Sequence, residues 1–252
     1  MGGKKLRRMS KSAAVYIPVG AIMIILLTIF GTSGFMRVID IEVVGVSKYT
    51  AGDVIEASGI SPGDNLLFIN KGDAGSRIKT SMPYIYEATI IRLPPDSIRI
   101  EVAESTALAT IAYQFETLVI DASGRVLQRS GEAPEGLFEI RGFAPGEVTE
   151  GSALRAQQGD ETKLGFLMAV VEAIEREGMQ GGVSYLDITN FSNITFGYLE
   201  RYRVILGSAN NLRQKLATLP GAIAAIEEME SPGVTGTFRF EDGGEWRWNK
   251  DN

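Results

Sequence analysis

Cysteine and histidine are both absent from the 252 residues. Without cysteine there is no disulfide, no thiolate nucleophile and no lipid attached through sulfur. Without histidine the commonest general base and the commonest metal ligand are missing together. The chain also lacks a glycine-rich dinucleotide fingerprint, a P-loop, a nucleophile elbow and a paired-histidine zinc helix. Acidic pairs occur at Asp160-Glu161, Glu227-Glu228 and Glu241-Asp242. None has the spacing of a calcium loop, so they read as solvated charge, and neither a metal nor a cofactor is expected.

Charge is unevenly placed. Lys4, Lys5, Arg7, Arg8 and Lys11 lie in the first eleven residues with no acid among them. Everything beyond is therefore more acidic than the formal net charge of −6, a poor match for nucleic-acid phosphates. From Ser12 to Met36 there is no charged residue at all. That run is long enough to cross a bilayer as a helix, and the basic cluster ahead of it sets the N-terminus on the cytoplasmic side. A cleaved signal peptide is the alternative. Against it, the apolar stretch exceeds the usual signal core of about 7–15 residues and no A-x-A-like site follows.

The rest, 44% hydrophobic and 22% charged over the whole chain, has an ordinary globular composition. Residues 38–43 alternate as a half-buried strand, with Ile39, Ile41 and Val43 on one side. Thr50 opens a short helix that Gly59 closes, and a second is expected over 74–82 with Ile78 inward. Residues 84–93 and 97–102 form a hairpin about Pro94-Pro95-Asp96. The order over 37–104 is strand, helix, helix, strand, strand.

Between the two helices lies Ile60-Ser61-Pro62-Gly63-Asp64-Asn65-Leu66-Leu67-Phe68-Ile69-Asn70. Proline, glycine, Asp and Asn are turn chemistry, so Asp64 and Asn65 read as turn-formers rather than ligands. The four apolar residues that follow are expected to be buried, Phe68 among them.

Past Ala107 the texture changes to short strands at 108–113, 117–121 and 125–128, then a Gly-, Pro- and Glu-rich loop over 130–159. An amphipathic helix follows on Leu164, Leu167, Met168, Val171 and Ile174. Strands at 183–188, 193–197 and 203–206 precede a second helix whose Leu212, Leu216 and Leu219 face inward and which Pro220 is expected to kink or divide. Strands at 235–240 and 245–248 close the chain as a hairpin. Trp246 and Trp248, two apart on a terminal strand, project to one face, and such a strand is a possible sheet edge open to another chain.

Taken together, the basic tail, single span and strand-helix-helix-strand-strand order resemble the FtsQ/DivIB family of bacterial division proteins. Val43-Val44-Gly45-Val46, Gly63-Asp64-Asn65-Leu66-Leu67-Phe68, Met82-Pro83-Tyr84-Ile85 and Leu93-Pro94-Pro95-Asp96-Ser97-Ile98 carry the likeness. Val119-Ile120-Asp121-Ala122-Ser123-Gly124 and Leu206-Gly207-Ser208 with Lys215-Leu216 extend it. The resemblance implies an α+β fold: cytoplasmic tail 1–12, transmembrane helix 13–35, POTRA domain 36–104 and C-terminal β domain 105–252, the last a mixed sheet with flanking helices. It implies no catalysis. It implies a scaffold in the bacterial cytoplasmic membrane at the division septum. The partners would be single-pass coiled-coil proteins of the FtsB/DivIC and FtsL types, with other division membrane proteins engaged through the POTRA domain. The partner-binding residues would be Thr237, Phe238, Arg239 and Phe240, with Trp246 and Trp248 on the neighbouring candidate edge.

Three rivals stand beside it. A POTRA protein of protein translocation should continue into many amphipathic strands. An extracytoplasmic carboxylate hydrolase would use Asp187 and Glu200, which would have to meet about 5–9.5 Å apart in one cleft. A membrane signalling receptor has little room for an output domain in a dozen cytoplasmic residues.

Overall fold

The computed structural model describes residues 16–25, 36–230, 233–241 and 243–251. The basic tail and most of the expected span lie outside these. Residues 16–25 are helical, with Tyr16, Ile17, Ile22 and Ile25 exposed. Among the described residues no helix is long and apolar enough to cross a membrane. Two compact units are present, one comprising residues up to Ser81 with Glu87–Ala103, the other Met82–Tyr86 with Glu104–Asn252.

The first unit holds β1 (Asp40–Val44), α1 (Ala51–Ser58), α2 (Lys71–Ser81), most of β2 (Ile85–Leu93) and β3 (Ser97–Glu104). The sheet order is β1-β3-β2, with β1 parallel to β3 and Asp40 opposite Ser97. Helix α1 begins with a reciprocal capping box, in which the Thr50 hydroxyl accepts from the Asp53 N–H and the Asp53 carboxylate accepts from the Thr50 N–H. Helix α2 starts three residues earlier than its apolar pattern suggests. The Asn70 side-chain oxygen accepts from the N–H groups of Gly72 and Asp73 at 3.1 and 3.3 Å, a cap written in one polar residue. Val54, Leu66, Ala74, Ile78, Ile98 and Ile100 make the core.

Two local expectations are corrected here. Ile39 is 72% exposed and lies ahead of β1, while Val38 is the buried residue. Of the four apolar residues after the Pro-Gly turn, Leu66 is fully buried and Ile69 half-buried, but Leu67 and Phe68 are 46% and 79% exposed. The reason is that 66–68 is itself a turn. The Phe68 N–H donates to the Asn65 carbonyl at 3.0 Å and the Leu67 N–H to the Asn65 side chain at 3.0 Å, so successive side chains fan out. Asp64 serves the preceding turn, accepting from the Ser61 N–H at 2.8 Å.

In the second unit one mixed sheet of nine strands has the order β12-β11-β10-β9-β8-β7-β4-β5-β6. These are β4 (Ala109–Tyr113), β5 (Glu116–Ile120), β6 (Val126–Ser130), β7 (Phe138–Arg141), β8 (Val183–Asp187), β9 (Ile194–Tyr198), β10 (Tyr202–Gly207), β11 (Gly236–Phe240) and β12 (Trp246–Lys250). Helices α3 (Glu161–Arg176) and α4 (Leu212–Met229) bury Leu167, Val171, Ile174, Leu212, Leu216 and Leu219 in one core with the inward residues of the strands. Alternate residues such as Arg203, Arg239 and Arg247 point away from that core and are exposed.

Strand β7 lies inside the stretch that reads as loop, between parallel neighbours β4 and β8. It has four residues, too few for alternation to stand out. Pro220 does not divide α4, which runs unbroken across it. The proline is exposed, whereas Leu216, Leu219 and Ile223 on either side are buried, so packing on both sides of it supports a continuous helix.

Candidate functional site

The two edges of the large sheet differ. At β6 the outer edge is capped. The Val126 N–H donates to the Ser152 carbonyl at 2.9 Å, the Gly151 N–H to the Val126 carbonyl at 2.7 Å, and the Arg129 N–H to the Glu150 carboxylate at 2.7 Å. At β12 no described strand or loop pairs with the outer side. Strand β11, expected as the partner-binding strand, is interior. It lies parallel to β10 on one side and antiparallel to β12 on the other.

The direction of every backbone group here follows from the ladder. Phe238 faces Trp248, and Phe240 faces Trp246. The same register pairs Glu241 with Glu245 and Thr235 with Asp251, where the Glu241 N–H donates to the Glu245 carbonyl at 2.9 Å and the Asp251 N–H to the Thr235 carbonyl at 3.1 Å. Hydrogen-bonded pairs recur every second residue in an antiparallel ladder, so Thr237 and Arg239 turn their backbones to Asn249 and Arg247. Phe238 and Phe240 turn theirs to β10, as does Gly236, whose N–H donates to the Arg201 carbonyl at 3.3 Å. All four expected residues of β11 are thereby committed. The outward N–H and C=O groups are those of Trp246, Trp248 and Lys250.

Side chains hold this edge in place. Phe238 is buried and meets Tyr202, Trp248 and Trp246 with ring centroids 5.4, 4.6 and 6.4 Å away, while Phe240 meets Trp246 at 5.1 Å. Trp246 donates its indole N–H to Thr218 of α4 at 3.0 Å. The indole N–H of Trp248 is buried without an acceptor among the described residues. The aromatic pair on β12 thus points to the helix side, as the alternation requires. Gly236 is obligatory, because a Cβ there would lie 2.4 Å from both the Asn249 carbonyl oxygen and the Trp248 ring. Lys250 reaches Glu230 at 2.7 Å, fastening the last strand to the end of α4.

Deeper in, the buried Lys215 ammonium donates to the carbonyls of Leu206 and Ser208, each at 2.7 Å, and lies 5.4 Å from the Phe240 ring. Glu227 accepts from the Tyr202 hydroxyl at 2.8 Å and from Arg201 at 2.6 Å. Those bonds, the tyrosine's first, hold its carboxyl below the ordinary glutamate range. Burial, reinforced by Glu227, pushes the Tyr202 phenol up.

The two carboxylates of the hydrolase reading are not brought together. Asp187 ends β8 opposite Thr195 at the start of β9, and its carboxylate accepts from the Thr189 N–H at 2.9 Å. Glu200 lies in the turn beyond Tyr198, at the other end of β9, with φ at 55°. No described cavity is lined by both.

Comparison with known proteins points to one group of relatives. Residues 36–105 match the model of the POTRA domain, FtsQ-type. The cell division protein DivIB of Clostridium botulinum strain Hall is 27% identical over 216 residues, covering 85% of this chain and 82% of that protein. DivIB of Clostridium tetani is 26% identical over 193 residues, covering 76% and 71%. The cell division protein FtsQ of Corynebacterium glutamicum is 28% identical over 163 residues, covering 63% and 67%. Residues 36–105 thus carry a POTRA domain of the FtsQ type, and the chain is similar over most of its length to the bacterial cell-division proteins DivIB and FtsQ.

Proposed function

We propose that this division protein is a single-pass membrane scaffold that links partners of the septum-building machinery by strand addition. In this reading residues 1–12 are cytoplasmic, 13–35 span the cytoplasmic membrane, and 36–104 and 105–252 work outside it as POTRA and β domains. The POTRA domain engages other division membrane proteins. The β domain takes a strand from a small coiled-coil protein of the FtsB/DivIC type, with the FtsL type alongside. That strand pairs with the outward backbone of Trp246, Trp248 and Lys250, and Phe238, Phe240, Trp246 and Trp248 keep β12 rigid enough to serve as template.

The observation that supports this is the contrast between a capped β6 edge and an open β12 edge. A five-residue strand with Arg247 and Lys250 on it is short and charged enough to resist indiscriminate pairing, yet it contains no proline, so every outward donor is present. A fluorescent fusion of the full chain should concentrate at the septum of dividing cells and co-purify with small coiled-coil membrane proteins. A uniform envelope signal, or capture that survives loss of the outward donors of β12, would overturn the proposal.

A further inference from the structure

The exposed Leu67–Phe68 tip is held in place, and its holder is specific. Arg92 of β2 donates to the Leu67 and Ile69 carbonyls at 3.2 and 2.6 Å, clamping the backbone on both sides of Phe68. A loop so fixed displays an aromatic ring that is 79% exposed. Ordinary packing offers no reason for a rigid support under an unburied phenylalanine.

Its place in the first unit supplies one. Residues 36–38 and 63–66 form a short antiparallel ladder. The Val38 N–H donates to the Asp64 carbonyl at 2.9 Å, the Leu66 N–H to the Met36 carbonyl at 2.8 Å, and Arg37 bridges Asn65. Because the ladder is antiparallel, moving from Val38 back to Met36 is moving from Asp64 forward to Leu66. The next residues on that side are Leu67 and Phe68. Met36 is also the last residue of the uncharged run, and the exposed Arg37 is the first charge after it. The tip thus sits on the side from which the apolar run enters the unit, while β1 leads away to Val44.

We propose that Leu67 and Phe68 form an interfacial anchor. The two side chains enter the boundary between headgroups and acyl chains of the bilayer crossed by residues 13–35, with Arg37 at the headgroup level. The inference rests on reading that run as a span. Apolar and aromatic side chains are favoured at this depth, and a second attachment beside the span fixes the tilt of the unit on the membrane.

The absence of native cysteine makes the test clean. Full-length single-cysteine variants L67C, F68C, I22C and S47C, the last beyond the far end of β1, are labelled with an environment-sensitive nitrobenzoxadiazole dye. They are then reconstituted in phosphatidylcholine and phosphatidylglycerol vesicles carrying acyl-chain nitroxide lipids. The labels at 67 and 68 should shift to the blue and lose intensity beside nitroxide lipid, as the label at 22 does, while the label at 47 does neither. If 22 is quenched but 67 and 68 behave like 47, the anchor is wrong and the tip belongs to a protein partner. If 22 is not quenched either, the span reading falls with it.

Discussion

Phe238 and Trp248 face each other across the last ladder of the sheet with ring centroids 4.6 Å apart, the centre of an aromatic group shared by β10, β11 and β12. Phe238 is 1% exposed, so F238A leaves a cavity under the edge strand and should cost about 3–5 kcal/mol. Denaturant unfolding of wild type and variant, compared at the midpoint, measures it. A loss below about 1 kcal/mol would mean the edge strand does not rely on this ring.

Gly236 offers a sharper test, because the change adds one methyl group. G236A drives a Cβ to 2.4 Å from the Asn249 carbonyl oxygen. The two strands must part, at a cost of about 1–3 kcal/mol. Amide hydrogen exchange should show faster exchange at Arg247 and Asn249, which turn their backbones to β11, with β4 and β5 unaffected.

Leu66 and Phe68, two residues apart, should behave as opposites. L66A removes a fully buried side chain and should destabilise by about 2–5 kcal/mol. F68A touches an exposed ring and should stay within about 0.5 kcal/mol of wild type in detergent solution. Thermal unfolding of both variants distinguishes them.

The Tyr202–Glu227 contact makes stability depend on pH at both ends. Glu227 has a depressed folded-state pKa, so its contribution is present above the unfolded value and lost as pH falls through the folded one. Tyr202 has a raised pKa. Above the ordinary tyrosine value, about 10, the unfolded chain has released its proton while the folded chain keeps it, so stability falls as pH rises further. Y202F removes the donor to Glu227 and the buried phenol together. Carboxyl carbon resonances should show the Glu227 titration moving up, and the alkaline decline in melting temperature should soften.

Proline substitutions read out the backbone directions of the edge. In β11 every N–H is used on one side or the other, so proline at Thr237, Phe238, Arg239 or Phe240 should unfold the domain at each position. In β12, N249P breaks the ladder, whereas K250P removes an outward donor and leaves the ladder intact. K250P should remain folded by circular dichroism yet lose the coiled-coil partner in a pull-down. The K250A control should keep the partner, because the exposed ion pair to Glu230 contributes no more than about 1 kcal/mol.

Legibility in the sequence followed periodicity. Strands with a polar alternation, such as 97–102 with its buried Ile98, Ile100 and Val102, could be read directly, and so could α3 from its apolar spacing. Strand β7 escaped because two inward residues do not make a rhythm, and its partners β4 and β8 are far away in sequence. The burial of Phe68 was misjudged because four apolar letters in a row look alike until the turn at Asn65 is seen to point them in different directions. At the candidate site, the common face of Trp246 and Trp248 was visible. Which strand was outermost was not, because strand order depends on the parallel crossover that inserts β11 beside β10.

A sheet closed at β6 and open at β12 has a valence of one. A second strand can add at one place, and once it has done so the next addition must be made to the newcomer rather than to this protein. Two copies meeting through their open β12 edges would complete each other and stop, so the nine-stranded sheet supports pairing but not polymerisation. If the β domain works by strand addition as proposed, each copy takes one strand at this edge, and the number of such links is set by the number of copies of this chain.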